Sequence, residues 1–270
     1  MLVQRFNPTY PLNDYIEMYW YWKGYASELA IQQQLITPDT HTNLVLNFGS
    51  EMKYYKSSDK NTTIKDAVYI GQQSKAYTGV FGEIIDVITI RFKPYGASCF
   101  MDLPVRETSE EMINPDFIFG KGMNSLRDQI YSQVLAADKI RILDKWLLSL
   151  LKTNSKNEDS FLKDIINQIN ENKGLKFLYK ISNNSGSEYK KIQRSFNTHI
   201  GISPKMFSRM LRFDNICHQA LNQKNADRFT IIATYNLSDQ SHLIKEFHSF
   251  SGFSPAEFIK SIENKTISWV

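Results

Sequence analysis

Several features that mark particular classes of protein are scarce or absent in this chain of 270 residues. The 2 cysteines, Cys99 and Cys217, lie far apart and outside any Cys-x-x-Cys pair. We therefore expect reduced packing residues rather than a disulfide framework or a cysteine-based zinc site. No run of about 18 uncharged apolar residues is present, so no transmembrane helix is expected. The first residues lack a basic segment followed by an apolar one, which argues against a signal peptide and for a cytoplasmic location.

Residue patterns typical of enzymes are also missing. Of the 5 histidines, only His41 lies in the first 160 residues. A metal-dependent barrel would need two or three clustered histidines with a carboxylate. The chain contains no Gly-x-Ser-x-Gly, no glycine-rich phosphate loop and no His-Glu-x-x-His. We therefore expect a protein that is not an enzyme, with no catalytic residues, no metal and no cofactor.

The charge is unevenly distributed along the chain. The whole sequence has 32 Lys and Arg against 28 Asp and Glu, for a net charge of +4. Residues 1–160 carry a net charge of −2, whereas residues 161–270 carry +6. A basic segment of this kind suits a polyanionic partner, but on its own it more often reflects a solvated surface.

The first hundred residues are rich in predicted strands. Residues 42–49 alternate polar and apolar side chains and end at Gly49, and residues 84–92 are β-branched and lead into a Lys-Pro-Tyr-Gly turn. Short apolar runs between glycines and prolines predict an antiparallel barrel or sandwich. One early helix is predicted over 12–21, where apolar side chains recur at three- and four-residue steps.

The period changes from residue 124 onward. Apolar residues then recur at helical steps and predict one or two amphipathic helices. The stripe from Ile140 to Leu150 is compatible with a dimer interface or with packing on the barrel. Residues 153–160 are polar and unpatterned and are predicted to form a linker. It would separate a domain at 1–152, a barrel with C-terminal helices, from an all-helical domain at 161–270.

An internal repeat with an offset of 51 residues is the strongest feature of the sequence. The residues Gly-Ile-Ser-Pro at 201–204 return as Gly-Phe-Ser-Pro at 252–255. Phenylalanines, one basic residue and a serine suited to helix capping recur at the same offset. In each copy a glycine ends a helix and the Ser-Pro pair begins the next one. The pattern predicts two helix-turn-helix modules in tandem.

The second helix of each predicted module has an inner apolar face and an outer polar face. The outer faces offer side chains that bind base edges in the major groove, although an ordinary solvated face would look similar. The predicted base-reading residues are Lys190, Lys191, Arg194, Gln240, Ser241, His242 and Lys245. The predicted phosphate contacts are Ser187, Asn197, Lys205, Arg209, Arg212 and Ser238. Lys205, Arg209 and Arg212 follow one stripe of the helix between the modules, and they fit phosphate contacts and a plain charged surface equally well.

The residues of this segment also resemble a known family. Residues 200–213, Ile-Gly-Ile-Ser-Pro-Lys-Met-Phe-Ser-Arg-Met-Leu-Arg-Phe, and 239–247, Asp-Gln-Ser-His-Leu-Ile-Lys-Glu-Phe, closely resemble the DNA-binding domain of AraC/XylS-type transcriptional regulators. The resemblance covers about residues 160–262. It implies two helix-turn-helix modules joined by a long helix, with both recognition helices entering successive major-groove faces on one side of the duplex.

A looser resemblance concerns the N-terminal part. The segments Thr-Pro-Asp at 37–39 leading into 43–49, and 91–97 leading into Leu-Pro at 103–104, are similar to a sensor-type domain of one branch of that family. This similarity implies a cupin-like β-barrel that binds an effector or dimerises. The aromatic-dense stretch at 15–25 fits either core packing or an effector pocket, for which Tyr19, Trp20 and Trp22 are the candidates.

The sequence thus predicts an α+β two-domain protein, with an N-terminal antiparallel β-barrel and a C-terminal all-α tandem helix-turn-helix. The predicted function is sequence-specific, effector-responsive regulation of transcription. Double-stranded promoter DNA is the predicted partner, and a small-molecule effector, a homodimer and RNA polymerase are compatible with it, whereas no membrane is expected. The alternative is a barrel that binds a metabolite or a protein and carries a helical domain that does not bind DNA.

Overall fold

The computed structural model describes residues 1–29, 33–56, 61–152, 156–174, 186–222, 240–263 and 268–269. The strands are β1 (Leu2–Phe6), β2 (Ile16–Tyr25), β3 (Gln33–Ile36), β4 (Thr42–Asn47), β5 (Met52–Lys56), β6 (Asn61–Ile64), β7 (Ala67–Ile70), β8 (Tyr77–Val80), β9 (Ile84–Phe92), β10 (Met112–Ile113) and β11 (Ser268–Trp269). The helices are α1 (Asp116–Phe119), α2 (Met123–Tyr131), α3 (Ala136–Leu150), α4 (Lys156–Glu171), α5 (Gly186–His199), α6 (Pro204–Asn222), α7 (Gln240–Ser251) and α8 (Pro255–Glu263).

The described strands form two sheets. The larger has the order β1-β2-β9-β4-β7-β10, and the smaller has the order β11-β3-β8-β5-β6. Neighbouring strands pair antiparallel except for β11, which pairs parallel with β3. The predicted two-part architecture is confirmed, with an antiparallel sheet domain followed by a helical region. The sheets are not closed, however, so the sheet domain is an open two-layer structure.

The strand alternation places two cores on opposite faces of the larger sheet. Leu44 and Leu46 on β4 face helices α1 to α3, together with Ile88 and Ile90 on β9. The intervening Val45 faces the smaller sheet. Both faces are therefore apolar, which explains the β-branched run of β9 and confirms the two strands predicted at 42–49 and 84–92.

The helix predicted over 12–21 is wrong. A single 3₁₀ turn covers Leu12–Asp14, and β2 begins at Ile16. The register between β2 and β9 shifts between Ile16 and Met18, which marks a β-bulge. The bulge places Ile16 and Tyr19 on the same face although they are three residues apart. That spacing resembles a helical period, and it misled the prediction.

The helices that follow the sheets pack on the larger sheet. Helices α2 and α3 confirm the predicted amphipathic pair, and Ile140, Leu143 and Leu147 are buried in the core beneath that sheet. The stripe predicted as either a dimer interface or a packing face is therefore occupied within the chain. Helix α4 begins at Lys156, inside the segment 153–160 that was predicted as a linker.

The helical region has its own aromatic core, centred on α6. Phe207 contacts Phe196 of α5 with ring centroids 5.6 Å apart, and Phe213 contacts Phe247 of α7 at 5.1 Å. All four side chains are buried. Helix α6 therefore packs against both predicted recognition helices, as expected for the helix that joins two modules.

The repeat predicts the ends of these helices correctly. Gly201 and Gly252 have φ values of 95° and 79°, a left-handed conformation that favours glycine at a helix C-terminus. Helices α6 and α8 then begin at Pro204 and Pro255. Ser203 Oγ accepts a hydrogen bond from the backbone N–H of Met206 at 3.2 Å, which caps α6. The region is not entirely helical, because β11 at its end joins the smaller sheet.

The helical region is docked on the sheet domain at several points. Ser109 Oγ donates a hydrogen bond to the carbonyl of Gly201 at 2.8 Å, just beyond the end of α5. The backbone N–H of Ala76 donates to the carbonyl of Phe250 in the last turn of α7 at 2.7 Å. Both helices are thus anchored to the sheet domain near their C-terminal ends.

Candidate functional site

Helix α5 presents the outer face that the sequence predicted. Lys190, Lys191 and Arg194 are exposed, whereas Ile192 and Phe196 on the opposite side are buried. The Lys191 Nζ lies 4.4 Å from the centre of the Phe161 ring, a cation–π contact that orients this side chain along the surface. Ser187 is also exposed, and Asn197 is half-buried. The face is therefore open to a partner and carries three cations.

Helix α7 presents a similar face. Ser241 and Lys245 are exposed, and Phe247 and Phe250 are buried on the inner side. His242 is half-buried, and its Nε2 lies 4.0 Å from Glu246 Oε1.

Part of the predicted interface falls outside the described residues. Ser238 lies there, as do the predicted first helices of both modules, within 175–185 and 223–239. The backbone of Gln240 starts α7, but its side chain is not among those described. The base-reading and phosphate-contacting roles all remain predictions.

Two of the predicted phosphate contacts have an internal partner. Glu246 on α7 is only 5% exposed and accepts hydrogen bonds from both Arg209 and Arg212 of α6. The Arg209 Nη2 lies 2.8 Å from Glu246 Oε2. Burial opposes ionisation of Glu246, but the hydrogen bonds and charges of the two arginines outweigh it and lower the pKa of the carboxyl. Arg209 and Arg212, two of the three residues in the stripe predicted to contact phosphates, therefore join α6 to α7. Within that stripe only Lys205 is exposed.

A second candidate site is a cavity of about 90 Å³ between the two sheets. Its apolar walls come from both sheets and include Trp22 and Phe81, whose rings stack at 5.8 Å. The complete lining is Trp20, Trp22, Gln34, Ile36, Asp39, Asn43, Val45, Tyr54, Ile70, Tyr77, Phe81, Val87, Thr89 and Arg91. Trp20 and Trp22, two of the three predicted pocket residues, are among them.

Tyr19, the third predicted pocket residue, does not line this cavity. Successive strand residues point to opposite faces, so Tyr19 faces the helices while Trp20 faces the second sheet. The Tyr19 hydroxyl donates a hydrogen bond to Asp144 Oδ1 of α3 at 2.6 Å. This contact joins β2 to α3 on the side of the strand that faces away from the cavity.

One end of the cavity carries a cluster of charged side chains. Arg91 Nη2 donates hydrogen bonds to Asp39 Oδ2 at 2.7 Å and to His41 Nδ1 at 2.9 Å. Glu17 pairs with the opposite nitrogen of His41. Burial opposes the charge of Asp39, yet Arg91 and His41 hold the pKa of that carboxyl well below its ordinary value. Asp214 of α6 lies close enough to this cluster that the charges of Asp39 and Arg91 affect the pKa of its carboxyl.

Sequence reasoning missed most of the cavity and the buried carboxylate. Gln34, Asn43 and Tyr77 lie on strands that are distant in sequence, so no local pattern joins them. Glu246 directly follows the exposed Lys245, and only its position one residue before the buried Phe247 hinted that it lies near the inner face. Within the described part of the chain, none of the helices is long and apolar enough to cross a membrane.

Comparison with protein-family models gives one match, to a domain of unknown function (DUF6597), at residues 4–114. This range spans most of the sheet domain and ends before the helical region. The comparison with curated proteins gives no match.

Several solved structures are similar over most of the chain. ToxT from Vibrio cholerae is 9% identical, with 96% of this chain and 97% of that chain covered and a TM-score of 0.40. The unsaturated fatty acid-bound form of ToxT is 10% identical, with 84% and 93% covered and a TM-score of 0.37. The AraC-like transcriptional activator CuxR is 13% identical, with 98% and 86% covered and a TM-score of 0.23.

Proposed function

We propose that the chain is a DNA-binding transcriptional regulator of the AraC/XylS type, with α5 and α7 as its two recognition helices. The observation that carries this proposal is the repeated unit itself. In each copy a helix with an exposed basic outer face ends at a left-handed glycine, and a Ser-Pro pair starts the next helix. Both copies pack on the same helix α6.

The outer faces supply the proposed contacts to DNA. Arg and Lys side chains hydrogen-bond guanine O6 and N7, and Gln and Ser can bind other base edges. Base reading is assigned to Lys190, Lys191, Arg194, Gln240, Ser241, His242 and Lys245, and phosphate contact to Ser187, Asn197, Lys205 and Ser238. Arg209 and Arg212 have a different role in this proposal, because their bonds to Glu246 fix the position of α7 on α6.

The sheet domain is proposed to regulate this activity. It contains the cavity, and it holds the ends of both proposed recognition helices through Ser109 and Ala76. A change in the sheet domain can therefore reach the two helices directly. The regulatory part of this proposal includes three further partners: a small-molecule effector, a second copy of the chain in a homodimer, and RNA polymerase.

The test is binding of the full chain to DNA fragments selected from a random duplex pool, measured by fluorescence anisotropy. We expect Arg194→Ala and Lys245→Ala each to cost about 1–3 kcal/mol on the selected sequence and to relax the preference at one base position. Lys145→Ala, which removes an exposed cation from α3, is the matched control and should leave affinity unchanged. Affinity should also fall steeply with added salt, because bound cations release counterions from the duplex.

The competing function is a metabolite- or protein-binding sheet domain with a helical region that does not bind DNA. Its specific support is that Arg209 and Arg212 already have a partner inside the chain. It predicts no salt-sensitive binding to any duplex. Unchanged affinity and specificity in both Arg194→Ala and Lys245→Ala would also reject the regulator proposal.

A further inference from the structure

The cavity between the two sheets is lined by buried polar side chains that have no hydrogen-bond partner among the described residues. Gln34, Tyr54 and Tyr77 are only 6%, 8% and 5% exposed, and all three line the cavity. The side chains of Asn43 and Thr89, which are half-buried, likewise make no hydrogen bond within the described part of the chain. Buried polar groups are nearly always hydrogen-bonded in folded proteins, so these three buried side chains and their two half-buried neighbours around one cavity point to a partner that enters it.

These side chains set the hydrogen-bonding character of that partner. The amides of Gln34 and Asn43 each offer a donor and an acceptor, and the hydroxyls of Tyr54, Tyr77 and Thr89 offer both as well. A mixed set of this kind complements a group that both donates and accepts, such as an amide or a hydroxyl. A carboxylate or phosphate only accepts and would leave the acceptors unpaired.

The charges at the polar end of the cavity also disfavour an anion. Asp39 and His41 take both hydrogens of Arg91 Nη2. The guanidinium therefore cannot form a bidentate pair of hydrogen bonds with a ligand carboxylate, because both of its edges include Nη2. Burial and Arg91 lower the pKa of His41, but its bonds to Asp39 and Glu17 outweigh them and raise it. Arg91 and His41 are thus paired with the carboxylates of Asp39 and Glu17, and the cluster offers no unpaired cation to an anionic ligand.

A cationic ligand is also a poor fit. Asp39, the carboxylate that lines the cavity, already accepts from Arg91 through Oδ2 and from the backbone N–H of His41 through Oδ1. A ligand cation near it would face the Arg91 guanidinium, which lies 5.7 Å from the Trp20 ring centre on the cavity wall. An uncharged ligand avoids both conflicts.

The size of the cavity limits the ligand further. Its volume of about 90 Å³ is below the roughly 150 Å³ of an apolar protein cavity that holds benzene. Most of the lining is aromatic or aliphatic, including Val45, Ile70 and Val87. The ligand therefore combines one polar head with a compact apolar body.

We propose that this cavity is a binding site for a small uncharged molecule that carries an amide or hydroxyl group on a compact apolar body. Gln34, Asn43 and Thr89 bind the polar group, and the surrounding aromatic side chains cover the body. The identification of this ligand as an effector rests on the proposed function, but its binding does not. Gln34 also belongs to β3, the strand that pairs with β11 beyond the helical region, with Ser268 opposite Gln34.

The test uses three probes of similar size that differ in charge: isobutyramide, isobutyrate and isobutylammonium. Each is titrated into the full chain without DNA, and the ¹⁵N-labelled indole signals of the tryptophans are followed by NMR. We expect isobutyramide to shift the signals of Trp20 and Trp22 in a saturable manner and to bind about tenfold more tightly than either ion. The signal of Trp146, which packs against Phe119 away from the cavity, is the internal reference and should stay unchanged.

Substitutions that keep the side-chain volume test which residues bind the polar group of the ligand. Gln34→Leu should weaken isobutyramide binding about fivefold, because it removes one hydrogen-bonding group and keeps the side-chain volume. Gln33→Leu changes the exposed neighbour on the same strand and is the matched control. Thr89→Val provides the same test if Gln34→Leu does not fold.

Three results would overturn the proposal. They are tighter binding of either ion, no saturable shift with any probe, and wild-type affinity for isobutyramide in the folded Gln34→Leu or Thr89→Val variant. DNA binding is measured separately, by the anisotropy assay on the same protein. Failure of that assay would reject the regulator proposal and leave the ligand site intact, and failure of the titrations would do the opposite.

Discussion

Replacing Glu246 by glutamine should loosen the attachment of α7 to α6 more than any conservative change on the helix surfaces. The substitution keeps the volume of a side chain that is 5% exposed, but it removes the negative charge that two arginines share. Breaking a fully buried ion pair by removing one partner costs about 3–5 kcal/mol. Arg209 and Arg212 are 32% and 16% exposed, so water partly replaces the lost charge. We therefore expect a loss of about 2 kcal/mol, below the fully buried range.

The assay is urea unfolding followed by circular dichroism at 222 nm, where the helices dominate the signal. Glu171→Gln is the matched control, because Glu171 is exposed on α4, and its stability should stay within about 0.5 kcal/mol of the wild type. A loss in Glu246→Gln no larger than that of the control would refute the reasoning that this carboxylate joins the two helices.

The same variant predicts a pH dependence. The pKa of Glu246 is lower in the folded protein than in the unfolded chain, where a glutamate has a pKa of about 4.3. Its stabilisation is therefore complete above that unfolded pKa and is lost as the pH falls through the folded pKa. The difference in unfolding free energy between the wild type and Glu246→Gln should be full at neutral pH and should disappear in acid. A difference that persists in acid would show that the effect does not come from the charge.

Two further predictions follow from single contacts. Tyr19→Phe should cost about 1–3 kcal/mol in urea unfolding, because it leaves the buried Asp144 without one of its donors; an unchanged midpoint would contradict the assignment. Gly201→Ala should cost about 2 kcal/mol or more, since the left-handed φ of 95° is strained for alanine and the added Cβ would lie 2.7 Å from Ser109 Oγ. Gly252→Ala, with a similar φ but nothing described within 4 Å, should cost only about 1 kcal/mol, and equal losses would argue against close docking at Gly201.

The helical region illustrates how much a local pattern can predict. The glycines at 201 and 252 and the Ser-Pro pairs after them predicted two helix ends and two helix starts, and all four are observed. These features depend on backbone conformations and capping bonds within a few residues, so their signal is local. The burial of Phe196 and Phe247 followed in the same way from helical periodicity.

The sheet domain shows where such patterns fail. The bulge in β2 gives a two-residue period the appearance of a helical one, and the aromatic-dense stretch does not show that Tyr19 and Trp20 face opposite sides of the strand. Which side of a strand faces the helices and which faces the second sheet depends on the partner strands, and those strands are distant in sequence. The two sides of β2 became distinguishable only when β9 supplied the register.

The sequence by itself determined the order of the elements: strands first, then two amphipathic helices, then a duplicated helical unit with basic outer faces. It could do so because periodicity, capping and turn chemistry act over a few residues. Only the tertiary structure decided that Arg209 and Arg212 bind Glu246. It also decided that polar groups from β3, β4, β5, β8 and β9, which have no partner among the described residues, meet around one cavity. Those outcomes depend on which distant residues are brought into contact, and hydrogen bonds and burial act through space regardless of separation along the chain.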